Sequence, residues 1–301
     1  MTRNRAYRIF NVALARKVDL SAHMRRLTFA GPEIADMTTL APDQRIKIFF
    51  PGADGRPPAL PTTGDWYKDY KAMPMADRVP MRSYTIRQLR AAAGEIDIDF
   101  VLHGETGPAS RWALRALPGD QLQMSAPNRH AEGEIGGYEW KPPASVRQVL
   151  LAADETALPA LAGILEQLVG WADRPQVQAY IEIPSGAARV PLPEWSGLEL
   201  RWLPRDHGGL AIQPGDLLLA AMRTARLPEG AVGTAQVLED IDIDRVVPWD
   251  QAQGMHGDFY AWVAGESAGV MAMRNFLVNE RGIDRRALNL MGYWRLGKTY
   301  D

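Results

Sequence analysis

The sequence predicts two domains of different class, an antiparallel β domain followed by an α/β domain with a parallel sheet. Three observations predict it. First, 301 residues with 46% hydrophobic and 23% charged content are enough for two separate cores. Second, the first half carries about six short β-branched or alternating runs between Gly and Pro punctuation, the pattern of a closed barrel or a sandwich. Third, from Arg147 onward extended apolar runs alternate with helical stretches, which implies a parallel sheet with helices on its faces.

The predicted strands of the first half are Tyr7 to Leu14, Met24 to Phe29, Arg45 to Phe50, Arg82 to Arg87, Glu95 to Val101 and Asp120 to Ser125. Gly31-Pro32, Pro51-Gly52, Gly94 and Pro118-Gly119 separate them, because these residues favour turns over ladders. Asp54 to Pro80, with Pro57, Pro58, Pro61, Gly64, Pro74 and Pro80, reads as a long surface loop at a site rim. One helix interrupts this half: Gly104 to Ala113 follows a strand directly, with Pro108 where a first helical turn tolerates it.

Gly133 to Pro143, with Gly136-Gly137 and Pro142-Pro143, is the predicted linker, placing the domains at 1–141 and 142–301. Beyond it come the buried strand Val149 to Ala153, the helix Thr156 to Val169 and the strands Val177 to Ile183 and Leu198 to Leu203. The helix Gln213 to Ala225, an acidic insertion around Glu239 to Asp244, the strand Phe259 to Ala264, the helix Ser267 to Glu280 and the strand Leu288 to Trp294 complete the chain.

Composition excludes several chemistries. With no cysteine, the chain has no disulfide scaffold, Cys-ligated metal centre or thiol nucleophile, so any redox chemistry needs a bound cofactor. A net charge of −2 and a pI near 6.2 give no global reason to expect nucleic acid or membrane binding. Arg3, Arg5, Arg8, Arg16 and Lys17 precede no long apolar segment, and Ala157 to Leu165 is too short to span a bilayer, so a cytoplasmic protein is expected; separately, the chain is expected to be a monomer. His23, His103, His130, His207 and His256 lie too scattered for metal-ligand spacing and receive no catalytic role.

Four clusters carry the chemistry, each at a strand end or helix start. In Arg82-Ser83-Tyr84-Thr85, strand alternation puts Arg82 and Tyr84 on one face and Ser83 and Thr85 on the other. A flat aromatic beside a cation suits a planar ring and a phosphate, although an ordinary exposed strand has the same pattern. Between Asp99 and Trp112, the small residues Gly104, Gly107 and Ser110 would let backbone amides approach a pyrophosphate; a plain strand–turn–helix corner reads alike. Asp154-Glu155-Thr156-Ala157-Leu158-Pro159 follows the first buried strand, where an anionic dinucleotide fits only if the acidic pair points aside, and where either Asp154 or Thr156 caps the helix. Ala264-Gly265-Glu266-Ser267, with Arg274 and then Gly292-Tyr293-Trp294-Arg295, forms the fourth.

With these motifs in this order across nearly the whole chain, the sequence resembles the siderophore-interacting proteins, flavin-dependent ferric-siderophore reductases of the ferredoxin-reductase-like superfamily. The resemblance implies a six-stranded antiparallel β-barrel holding FAD, followed by a parallel-sheet α/β domain for NADPH or NADH. By the family motif, Arg82 would meet the flavin pyrophosphate, Tyr84 would stack on the isoalloxazine and Thr85 would lie near the reactive flavin nitrogen. Ser83, Asp99, His103, Gly107, Pro108, Ala109 and Ser110 complete the expected FAD set. Asp154 to Pro159, with Asp154, Thr156 and Ala157 as the contacts, and Ala264 to Ser267 would line the nicotinamide approach, and Arg205 would take the adenosine phosphate of NADPH. The implied substrate is an anionic ferric siderophore held by Lys47, Arg129 and Arg295.

Ala126-Pro127-Asn128-Arg129 stands where the family reads Gly-Pro-Arg-Gly, one residue out of register, and Lys47 has a second reading as a charge guarding a strand edge. No metal site on the protein is expected, since one electron added to hard-oxygen-bound ferric iron suffices to loosen it. A general flavin or ferredoxin reductase, or a siderophore carrier without turnover, would share this architecture. Ala264-Gly265-Glu266 stands where many reductases of the superfamily carry a cysteine, which favours the siderophore branch.

Overall fold

In the computed structural model the chain forms two units, Met1–Tyr138 and Glu139–Asp301. The structure describes residues 5–298 apart from 53, 63, 207–211, 229–240, 244 and 254–256. His207, His256, Glu239 and Asp244 therefore lie outside the described residues. The division falls within the Gly133 to Pro143 stretch, and Trp140 shows why Glu139 to Lys141 go with the second unit. Its buried ring meets Tyr260 edge-on at 5.4 Å and its indole N–H donates to Gln167 at 2.6 Å.

The first unit is built on β1 (Tyr7–Ser21), β2 (Met24–Ala30), β3 (Arg45–Phe49), β4 (Met81–Thr85), β5 (Gln88–Arg90), β6 (Glu95–Val101) and β7 (Gln121–Pro127). They form one antiparallel sheet in the order β4-β3-β7-β1-β2-β6-β5. Laid flat, such a sheet would be about 29 Å wide at ~4.8 Å per strand. Yet its terminal strands β4 and β5 are consecutive in the chain, and the step from Thr85 to Gln88 reaches about 10 Å at most. The sheet must curl until its ends meet. At the join, the Ile86 N–H bonds to Gln44 on the β3 side, and the Arg87 N–H bonds to Asp97 on β6.

This corrects the expectation of six strands: Arg82 to Arg87 is not one strand, and Gln88–Arg90 pairs with β6 as a seventh. β1 is also longer than predicted. Its first half pairs with β7 and its second with β2, with register shifts at Leu14/Arg16 and Asp19/Ser21 where extra residues let the strand bend. Alternate residues fill the interior, among them Phe10, Val12, Leu27, Phe29, Ile48, Ile98, Phe100 and Met124.

On the outer face Ile9 and Phe49 are covered by the segment expected to be an irregular loop. It contains the helix α1 (Trp66–Ala72), capped by the Asp65 carboxylate on the Lys68 N–H, and it makes a small second core with Leu60 and Tyr70. The proline density hid this helix. Between β6 and β7 lies α2 (Pro108–Arg115).

The second unit has β8 (Gln148–Ala153), α3 (Leu158–Val169), β9 (Gln176–Ile183), β10 (Leu198–Pro204), α4 (Asp216–Arg223), β11 (Trp249–Asp250), β12 (Phe259–Glu266), α5 (Ser267–Asn275) and β13 (Leu288–Trp294). The sheet order is β10-β9-β8-β12-β13-β11. Its first five strands are parallel, but β11 runs antiparallel to β13, so the sheet is mixed where a purely parallel one was expected. Two residues too short and polar to read as a strand make that edge. Past α5 the chain continues as a π-helical turn, Phe276–Glu280. The chain direction reverses across the sheet between β8 and β12, the switch point whose carboxyl edge receives ligands in open α/β sheets. No helix among the described residues is long and apolar enough to cross a membrane.

Candidate cofactor and chelate sites

β4 places the first cluster. Its register sets Arg82 opposite Ile48 and Tyr84 opposite Ile46, so both point with the interior residues, while Ser83 shares the outer face with Lys47. The Tyr84 ring lies 4.2 Å from Phe100, and Phe50 links both rings to Trp112 of α2 at 6.1 Å. Burial raises the Tyr84 phenol above its ordinary pKa, so it stays neutral. Thr85 is buried and pairs with Arg45 in the ladder. Arg82 donates to the Met81 carbonyl at 2.8 Å.

The ring contacts bring the start of α2 into the same neighbourhood. Gly107 precedes the helix without a side-chain cap and Pro108 follows, which leaves first-turn amides such as those of Ala109 and Ser110 without helical partners. Gly104, at φ 77°, makes the turn a β-carbon would strain, and open space surrounds both glycines. His103 Nδ1 lies 2.9 Å from the Thr106 hydroxyl and 3.2 Å from that of Ser110. An uncapped helix start beside a histidine and an aromatic face fits a flavin dinucleotide. Asp99 does not join them, because Arg26 holds both its oxygens at 2.7 and 2.8 Å with Arg87 beside it.

Lys47 lies on β3, which pairs with β4 on one side and β7 on the other, so the edge-guard reading is set aside. Its ammonium donates to the Ser83 hydroxyl at 2.6 Å. Ser125, opposite on β7, is fully buried with no partner for its hydroxyl among the described residues. Burial, then Arg45 and Lys71, lower the Lys47 pKa. Arg129 is not brought to this row. It lies in the turn after β7, with its guanidinium donating to the Ala35 carbonyl at 2.9 Å.

In the second unit the expected nucleotide contacts are bonded to one another. Asp154 is almost fully buried: one oxygen accepts from the Thr156 hydroxyl at 2.6 Å and backbone at 2.9 Å, the other from the Glu266 N–H at 2.9 Å and the Trp294 indole at 2.6 Å. Burial, then Glu155, push its carboxyl up to about 7 against those bonds. Ala157, also buried, leans on Asp154 through its amide.

Glu182 accepts from the Gly215, Leu217 and Leu218 amides at 2.8, 3.1 and 3.2 Å, and Glu266 from Ala268 and Gly269 at 2.6 and 3.0 Å. The starts of α4 and α5 therefore each hold an internal carboxylate where a phosphate would otherwise sit, and Asp154 takes the two amides that precede α3. Arg295 donates to Glu266 at 2.9 Å, and Arg274 is buried against Asp250 at 2.6 Å. Glu266 lies in the fourth predicted cluster, whereas sequence reasoning missed Glu182; a lone acid in the apolar run Val177 to Ile183 was the available signal. Such a rim accepts hydrogen-bond donors, as ribose hydroxyls and a carboxamide offer, more readily than phosphates.

Residues 13–131 match the siderophore-interacting FAD-binding domain, and residues 146–297 match the siderophore-interacting protein model. The chain belongs to the siderophore-interacting protein family. Among family relatives, an uncharacterised protein of Mycobacterium tuberculosis is 33% identical over 94% of this chain and 88% of its own length. The ferric vibriobactin reductase ViuB of Vibrio cholerae is 28% identical over 95% and 89%, and the NADPH-dependent ferric-chelate reductase of Escherichia coli 27% over 91% and 88%. A siderophore utilization protein from T. fusca superposes at a TM-score of 0.73 with 28% identity, covering 99% of this chain and 97% of that one. The ferredoxin-reductase-like fold extends to a ferredoxin NADP+ reductase of Neisseria gonorrhoeae, at a TM-score of 0.57 and 10% identity over 95% and 99% of the two chains.

Proposed function

We propose that this siderophore-interacting protein is a cytoplasmic, monomeric, FAD-dependent reductase of ferric siderophores drawing electrons from NAD(P)H, with residues 1–141 as the FAD-binding barrel and 142–301 as the nucleotide-binding domain with a C-terminal tail. The observation that carries the reading is the open start of α2 joined by ring contacts to Tyr84 and neighbouring Arg82, within the segment that matches the FAD-binding domain.

Bound FAD supplies the exchange between a two-electron donor and a one-electron metal acceptor that a cysteine-free chain cannot make alone. The protein's residues bind and orient. Arg82 neutralises phosphate charge, Tyr84 offers a ring face, the Ala109 and Ser110 amides receive the pyrophosphate, and Thr85 contributes a hydroxyl near the flavin ring. Lys47, held by Ser83, meets the anionic chelate, while Arg129 is held on the Ala35 carbonyl and Arg295 on Glu266. Neutralising the chelate's charge brings it close and eases the electron's arrival.

Steady-state assays of FAD-loaded protein with ferric catecholates and hydroxamates, NADH or NADPH and a ferrous trap test the reading. FAD-dependent ferrous release is expected. Protein that takes up no FAD, or that reduces free flavin and no chelate, overturns it.

A further inference from the structure

Arg205, at the end of β10, is the residue expected to meet the 2′-phosphate of NADPH, and its guanidinium is already taken. Glu155 clasps it through both oxygens, at 3.0 Å to one terminal nitrogen and 2.6 Å to the other, and Glu182 adds a contact at 2.9 Å. All three side chains are largely buried, at 14%, 12% and 0% exposure for Arg205, Glu155 and Glu182. The edge with which an arginine grips a phosphate is the edge Glu155 occupies. Two carboxylates against one guanidinium leave the cluster with a formal charge of −1.

The place of the cluster gives this meaning. Glu155 follows β8, Glu182 ends β9 and Arg205 follows β10, so the three gather over the carboxyl ends of three adjacent parallel strands, to one side of the switch point. In doubly wound nucleotide domains an acid on that side accepts from the adenosine ribose hydroxyls, whereas a free arginine admits a 2′-phosphate. Glu182 cannot turn away to release Arg205, because it also holds three amides at the start of α4.

We infer that Glu155, by sequestering Arg205, selects a dinucleotide without a 2′-phosphate, so that the electron donor is NADH rather than NADPH. The inference rests on reading the second unit as the nucleotide-binding part. A phosphomonoester of nearly two negative charges would have to displace Glu155 and leave that carboxylate unpaired beside Glu182 and the phosphate itself.

Calorimetric titration of the FAD-loaded protein with NAD+ and NADP+, and with the fragments 5′-AMP and adenosine 2′,5′-bisphosphate, reads the selection without turnover. The 2′-phosphorylated member of each pair is expected to bind at least tenfold more weakly. Glu155→Gln, which keeps the side chain's shape and removes one of the two negative charges on the guanidinium, is expected to narrow the gap to threefold or less. Equal or tighter binding of the 2′-phosphorylated members by the wild-type protein overturns the inference while leaving the nucleotide reading in place. Failure of all four ligands to bind overturns both. A Glu155→Gln protein that retains the full tenfold gap, with unchanged unfolding temperature, removes Glu155 as its cause.

Discussion

Lys47 and Asp154 have shifted pKa values for the same root cause, burial, and the consequences run in different directions. A lysine with a lowered pKa sheds its charge earlier as pH rises, so chelate affinity should fall on the alkaline side at a lower pH than an ordinary lysine would give. Lys47→Ala should raise KM for a ferric siderophore about tenfold, the scale of one charge-assisted contact, and leave FAD bound. Loss of flavin on substitution would assign Lys47 to the fold instead. Asp154 has a folded pKa of about 7, above its unfolded value, so its contribution to stability is complete below about pH 4 and is lost as pH rises through 7. Asp154→Asn should flatten that slope and cost about 1–3 kcal/mol, since its amide nitrogen must face donors on one side. Urea unfolding at pH 5 and 8 checks both. Neither shift was legible in the sequence, because burial is a property of the assembled rim.

Among elements, the starts of α4 and α5 meet backbone to backbone. A β-carbon on Gly269 would stand 2.8 Å from the Gly215 Cα, and Gly215 has φ 95°. Gly269→Ala should therefore destabilise the second unit by about 1–3 kcal/mol through overpacking, measured as a lower denaturant midpoint. Most strands and helices were legible because apolar periodicity records which face is buried. Boundaries failed where a tertiary partner decides them. Arg82 to Arg87 reads as one strand, yet it is cut where the curling sheet passes from Gln44 to Asp97 as hydrogen-bond partner. α1 escaped notice because its stability comes from Phe49, Leu60 and a local Asp65 cap rather than from a periodic apolar face. Of the site, the motif residues of β4 and α2 could be read in order along the chain. The pairing of Glu155 with Arg205 could not, being a contact between residues fifty positions apart.

At the scale of the whole molecule, each unit has its own core, and ligand linkage should divide between them. FAD at a hundredfold excess over its Kd stabilises what binds it by about 2.7 kcal/mol. Scanning calorimetry should show FAD raising the transition of residues 1–138 and barely moving that of 139–301. A shift of both by the same amount would mean they unfold as one.

Glu182 and Glu266, which close the starts of α4 and α5, have a further effect, on timing. A dinucleotide that finds those amides already occupied has few anchors for its phosphates, so its residence is expected to be brief, read as fast dissociation of the oxidised donor in stopped-flow displacement. Product release is then expected not to limit turnover. The rate should then follow the supply of reduced donor over a wide range instead of levelling off, so that iron release would track the reducing capacity of its surroundings.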